Sequence, residues 1–251
     1  MWNGDIMQSV FYFGRYIRMS ILVSLTGSFV NVVLVLLGGG IGLLVKKGLP
    51  ERVSDTVMKA MALCVLFIGI DGALEGSNAL IAVISMAVGT IIGSLLDLDK
   101  HINNVAQKIE SKLSKGNDKP QFAEGFVTAS LLFCVGAMAI VGSLESGISH
   151  DYSTLITKSV IDAVSSIVFA STLGWGVLAS VVPVFIYQGT ITLLAGFVAP
   201  YLNDYTVAHM TCVGSLLIIA IALNMMKLTN IKVMNCLPSV FLPIIICMFL
   251  K

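Results

Sequence analysis

About eight runs of mainly apolar residues, each long enough to cross a hydrocarbon core, dominate this chain. They fall at about 21–45, 56–74, 78–96, 125–144, 155–173, 176–198, 208–226 and 233–250. A bilayer core is about 30 Å thick, so a helix rising 1.5 Å per residue needs about 20 residues to span it. Lipid offers no water to the backbone amides, so each run must satisfy its own hydrogen bonds as a helix. The runs predict an all-α polytopic membrane protein with about eight transmembrane helices. Pro238 and Pro243 fall in the last run, and an interruption there would leave seven. Composition agrees: 57% of the 251 residues are hydrophobic and 12% charged, against about a quarter charged in soluble domains.

The connections between runs set the orientation. Lys46, Lys47, Arg52 and Lys59 follow the first run, Lys100, Lys108, Lys112, Lys115 and Lys119 the third, and Lys227 and Lys232 the seventh. With eight alternating spans, these basic loops lie on one side, which the positive-inside rule makes cytoplasmic. Both termini are then predicted outside, in a multi-pass protein of a bacterial inner membrane. A formal net charge of +1 and the lack of a basic arm interleaved with aromatics exclude a nucleic-acid partner. The expected partners are membrane lipid, a small ion or solute, and a second copy of the chain in a homo-oligomer. Residues 1–18 contain no apolar stretch ending in a cleavage site and read as an optional extension ahead of Met19, with 19–251 a single transmembrane domain.

One run carries charge near its middle. Along Leu155 to Leu173, Lys158, Asp162, Ser165 and Ser166 share a helical face, while Ile156, Val160, Val164 and Ile167 belong to the remainder. A charged side chain at mid-bilayer costs about 2.5–3.5 kcal/mol on insertion scales, so such residues face a bundle interior or a wet cavity. Asp162 is the leading candidate to bind a cation or take up a coupling proton, with Ser165 and Ser166 beside it. Lys158, four residues earlier, either pairs with Asp162 and gates it or snorkels to the interface in a structural pair. Asn31 and Gln188 sit near mid-span in other runs and complete a candidate path. Asp71 and Glu75, near the outer end of the second run, read as solvated interfacial acids or as an outer vestibule attracting cations.

Two further patterns bear on architecture. Between the third and fourth runs, the polar connector at about 99–124 places Ile102, Val105, Ile109 and Leu113 at helical spacing among lysines, the mark of an amphipathic helix on the inner leaflet. Asn31 to Leu74 and Gln188 to Met226 also show a faint self-similarity. Asn31 answers Gln188 and Gly39 answers Gly196 at an offset of 157; Met58 answers Met210 at an offset of 152. Five spans separate the two units, which predicts inverted three-helix repeats, spans 1–3 and 6–8, flanking a central hairpin. The Gly38 to Gly40 triplet suits either close helix packing or a local unwinding of the first span.

Enzyme chemistry lacks a foothold. No HExxH, GxSxG, phosphate-binding loop or dinucleotide fingerprint occurs. The five cysteines are widely spaced without a CxxC and read as small core residues rather than metal ligands. No metal and no cofactor are expected.

FVTASLLFCVGAMAIVGSLESG at 126–147, STLITKSVIDAVSSIVFASTLGWGVL at 153–178 and YQGTITLLAG at 187–196, together with VKKGLPER at 45–52 and LCVLFIGIDGAL at 63–74, resemble a bacterial inner-membrane family typified by YqgA, of unknown function. The resemblance covers residues 20–248. It implies a multi-spanning membrane protein and carries over no substrate and no site residues. Together with the residues above, the expectation is a secondary transporter or exchanger of a small ion or solute. The alternative is a non-transporting scaffold or signalling protein acting through residues 99–124.

Overall fold

The computed structural model describes residues 23–46, 51–102, 104 and 121–249. Among them every regular element is a helix. In chain order these are α1 (Thr26–Lys46), α2 (Glu51–Ala73), α3 (Ala79–Leu95), α4 (Gln121–Cys134), α5 (Ala137–Ile148), α6 (Ser153–Leu173), α7 (Trp175–Ala179), α8 (Val181–Leu193), α9 (Ala195–Val198), α10 (Asp204–Met225), a 3₁₀ helix (Val233–Phe241) and α11 (Leu242–Phe249). The 1–18 extension and most of the 99–124 connector lie outside the described residues.

Length and apolarity qualify five stretches to cross a membrane: Thr26–Val45, Asp55–Ala73, Ser153–Leu173, Trp175–Leu193 and Asp204–Met225. Helices α4 and α5 make a sixth if taken as one span, bent by 60°. Ala79–Leu95 and Val233–Phe249 are shorter apolar helices. Each predicted run therefore has a helical counterpart, but the fourth and sixth are broken and the third and eighth are short. Large apolar side chains including Leu44, Phe67, Leu95, Phe197 and Phe249 are exposed on the outside, as helices solvated by lipid require.

The breaks have local causes. Gly136, between α4 and α5, has φ +128°, and Gly174, between α6 and α7, has φ +76°; both are backbone conformations that a Cβ disfavours. Clean starts also have causes. The Asn78 side chain accepts from the Leu80 N–H at 3.0 Å ahead of α3, and Asn203 accepts from the Thr206 N–H at 2.9 Å ahead of α10, each satisfying an orphan donor of the first turn.

Helices pair through small residues. Helix α1 packs along α6, α2 along α10, α3 along the 3₁₀ helix and α4 along α7. A Cβ on Gly38 would lie 2.3 Å from the Ala163 carbonyl oxygen, and one on Gly42 2.3 Å from that of Ile167. Gly38 and Gly42 thus serve close packing, and α1 runs unbroken across the glycine triplet rather than unwinding. Gly93 meets the Asn235 carbonyl in the same manner. The main core gathers Phe133, Phe169, Leu173, Leu217 and Ile218, at the junction of α4, α6 and α10. Helix α10 is buried over most of its length.

Candidate functional site

Helix α6 brings its two charges into the protein, not to the interface. Lys158 and Asp162 are 6% and 5% exposed, and the Lys158 ammonium donates to Asp162 Oδ2 in a buried ion pair. The four-residue spacing puts them one turn apart on the face that meets α1. The Lys158 Nζ also lies 5.9 Å from the centroid of the Phe133 ring on α4, within range for a cation–π attraction.

Two amides close the site. Asn31 on α1 and Gln188 on α8 are both fully buried, and the Asn31 amide nitrogen donates to Gln188 Oε1 at 3.3 Å. Asn31 is also within hydrogen-bonding reach of the Asp162 carboxyl. Each amide keeps one group without a partner: Asn31 Oδ1 and Gln188 Nε2, and one turn along α1 the Ser28 hydroxyl is also unpartnered. A buried polar atom left without a partner costs about 1–3 kcal/mol. Three such atoms fall in one neighbourhood, beside a buried ion pair.

The serines predicted beside Asp162 behave differently from it. Ser166 is buried, but its hydroxyl donates to the Ala163 carbonyl at 2.8 Å and to the Val35 carbonyl at 3.2 Å, which ties α6 to α1. Ser165 is half-buried, away from the buried stripe. Thr192 bonds not to its own helix but to the Ser143 carbonyl of α5, at 3.1 Å.

From the pair toward the start of α6 the α1–α6 seam stays polar. Ser159, Ser146 and Ser28 are buried there. At its end Ser24 Oγ meets His150 Nδ1 at 3.3 Å, and the Tyr152 hydroxyl donates to the Val23 carbonyl at 2.8 Å. In the other direction the seam is shut by Gly38 and Gly42 on the α6 backbone.

Asp71 and Glu75 lie apart from this site, exposed at the end of α2 and just beyond it. Partial burial holds the Glu75 carboxyl above its ordinary value, and the neighbouring Asp71 charge adds to the shift. Near them is a residue that the sequence reading passed over. His209 on α10 is fully buried, packs edge-on against Tyr205 with centroids 4.5 Å apart, and has both ring nitrogens without partners. The Tyr205 to His209 spacing of one turn was its only signal. No group of three or more metal-ligating side chains occurs among the described residues.

An apolar groove of about 650 Å³ lies on the far side of α4, lined by Phe126, Cys134, Tyr187, Met210, Leu237 and Phe241 among others. Cys134 links the two regions, since it lines this groove and lies within electrostatic reach of both Lys158 and Asp162.

Residues 26–248 match the model of a family described as "Protein of unknown function (DUF554)". The chain belongs to the DUF554 family. Among DUF554 relatives, it is 33% identical over 221 residues to the "Uncharacterized membrane protein YdfK" of Bacillus subtilis (strain 168), a match covering 86% of this chain and 93% of that protein. It is 31% identical over 219 residues, with the same coverage, to the "Uncharacterized protein YqgA" of Escherichia coli (strain K12). The match to YqgA bears out the resemblance seen in the sequence. No solved structure matches the chain.

Proposed function

We propose that this DUF554 protein is a secondary transporter or exchanger of a small ion or solute, with its site at the Lys158–Asp162 pair. One observation carries the reading: a buried ion pair at mid-span, flanked by two fully buried amides that each keep an unpartnered group. Ionisable residues inside a membrane mark substrate or proton pathways. A purely structural pair gains nothing from leaving its neighbours' hydrogen bonds unmade.

The architecture supports the same reading. Asn31 and Gln188, equivalent under the repeat offset of 157, bond to each other. Helix α2 packs on α10, α3 on the 3₁₀ helix and α1 on α8, each against its repeat counterpart, as expected of elements around a two-fold axis. Eight spans with inverted repeats, basic loops in the cytoplasm of a bacterial inner membrane and both termini outside complete the proposed plan. The site then lies between the repeats near the midplane, where inverted-repeat transporters bind their cargo.

The test is flux into liposomes holding the purified full chain, for protons, monovalent and divalent cations and small organic solutes, with Asp162→Asn in parallel. Flux that disappears in a folded Asp162→Asn protein is the expected result. Unchanged flux in that variant, or a wild type that moves nothing while deletion of residues 103–120 costs it a soluble partner, would overturn the reading in favour of a scaffold.

A further inference from the structure

The charge balance of the site narrows what it can hold. Lys158 and Asp162 sum to zero and are paired on one helix turn. The amides beside them offer one free donor and one free acceptor, Gln188 Nε2 and Asn31 Oδ1. That pairing of opposites holds whichever way round the two amides are turned, because one bond between them always leaves one group of each kind.

A lone cation entering this layer would pair with Asp162 and strand the Lys158 ammonium; a lone anion would strand the carboxylate. An unpaired charge in an apolar interior carries a desolvation penalty that a single contact does not offset. A solute with one positive and one negative group avoids both. Its ammonium takes the place of Lys158 on Asp162 and Asn31 Oδ1, and its carboxylate takes the place of Asp162 on Lys158 and Gln188 Nε2. Every charge stays paired, and both orphaned amide groups gain a partner.

The layer is also short. Along α1 a Cβ on Gly27 would lie 2.8 Å from the Leu155 side chain and 3.1 Å from Ser146 Oγ, and one on Gly38 would lie 2.3 Å from Ser166 Oγ. These two contacts close the α1–α6 seam on either side of the polar layer that holds Ser28 and Asn31, so the layer suits a compact ligand.

Resting on the transporter reading above, we propose that the substrate is a small zwitterion of the α-amino acid type, bound between Lys158 and Asp162 with Asn31 and Gln188 as its polar clamp. The experiment is binding to the purified full chain in detergent and uptake by liposomes, using radiolabelled glycine, L-alanine and L-serine as probes. Acetate and methylammonium serve as single-charge competitors. Saturable binding of at least one zwitterion is expected, uncompeted by either single-charge compound. Asp162→Asn and Lys158→Gln should each weaken it by roughly 30-fold or more. Because either single variant strands a charge and can misfold, the neutral double variant Lys158→Gln/Asp162→Asn is measured too. It should fold and fail to bind. Zwitterion binding by that double variant at wild-type strength overturns the assignment. Cation or proton flux that needs Asp162, with no zwitterion bound, overturns the substrate class and leaves the transporter reading standing. No binding and no flux of any kind overturns both.

Discussion

The two ends of the α1–α6 seam are built on opposite principles. In one direction from mid-span Gly38 and Gly42 bring backbone against backbone, and Ser166 spends its hydroxyl on the Ala163 and Val35 carbonyls. In the other, Asn31, Lys158, Asp162 and Ser28 are as buried, yet Asn31 Oδ1 and the Ser28 hydroxyl remain unpartnered. Apolar contact offers little drive between helices in lipid, so close van der Waals packing and hydrogen bonds hold them together. The glycine end has both, whereas the charged end forgoes part of its share. Within one helix pair, one end is a fastening and the other, on the reading proposed above, a receptacle.

The largest expected break in this contrast comes from unpairing the charges. Lys158→Met should destabilise the folded protein by about 3–5 kcal/mol by stranding Asp162, read as a lowered thermal midpoint in detergent. Adding Asp162→Leu to it should recover most of the loss. A double-mutant cycle with no coupling would show that the pair is not formed in the membrane.

Next in size is the glycine end. Gly38→Ala and Gly42→Ala push a methyl group into the Ala163 and Ile167 carbonyls, which cannot give way without moving α6. Each should cost about 1–3 kcal/mol. Gly40→Ala, with nothing within 4 Å of the new carbon, should be neutral or slightly stabilising through helix propensity. Equal effects at Gly38 and Gly40 would refute the fastening.

Smaller effects sharpen the receptacle. Asn31→Ala and Gln188→Ala remove a membrane hydrogen bond worth about 0.6 kcal/mol on average, and should change the melt little while abolishing flux. A stability loss as large as that of Gly38→Ala would make the amides structural instead.

The smallest effect is at Asp71 and Glu75, at the end of α2. Burial and Asp71 hold the folded Glu75 carboxyl above its ordinary value of 4.5, so the folded chain keeps that proton to higher pH than the unfolded one. The associated stability is full below that ordinary value and is lost as pH rises through the folded one. Glu75→Gln should flatten this slope in melts taken across mildly acidic pH, and Asp71→Asn should move it to lower pH.

Much of the fold is legible in the sequence. Each apolar run contains helix because the bilayer fixes run length, and the four-residue spacing of Lys158 and Asp162 made their pairing one of two readings. The breaks at Gly136, Gly174 and near Leu194 were not legible, because a bend changes neither apolarity nor period. The glycine triplet invited an unwound helix, but sequence cannot distinguish a glycine needed for flexibility from one needed for room. Lys158 was expected either in a pair or snorkelling to the interface, and only its 6% exposure decided for the interior. His209 and Asn235 escaped notice as single polar residues in apolar surroundings. The latter accepts from the Asp99 N–H at 2.8 Å, fastening the start of the connector to the 3₁₀ helix.

The enclosure of α10 bears on how the chain is made. Helices α2 to α5, which wrap much of it, all precede it in the sequence, and only the 3₁₀ helix and α11 among its neighbours follow. The ribosome therefore delivers the most protein-wrapped segment after most of its wrapping has been synthesised. An α10 synthesised ahead of α2 would meet lipid on faces shaped for helices, so the order of emergence is part of how this bundle closes.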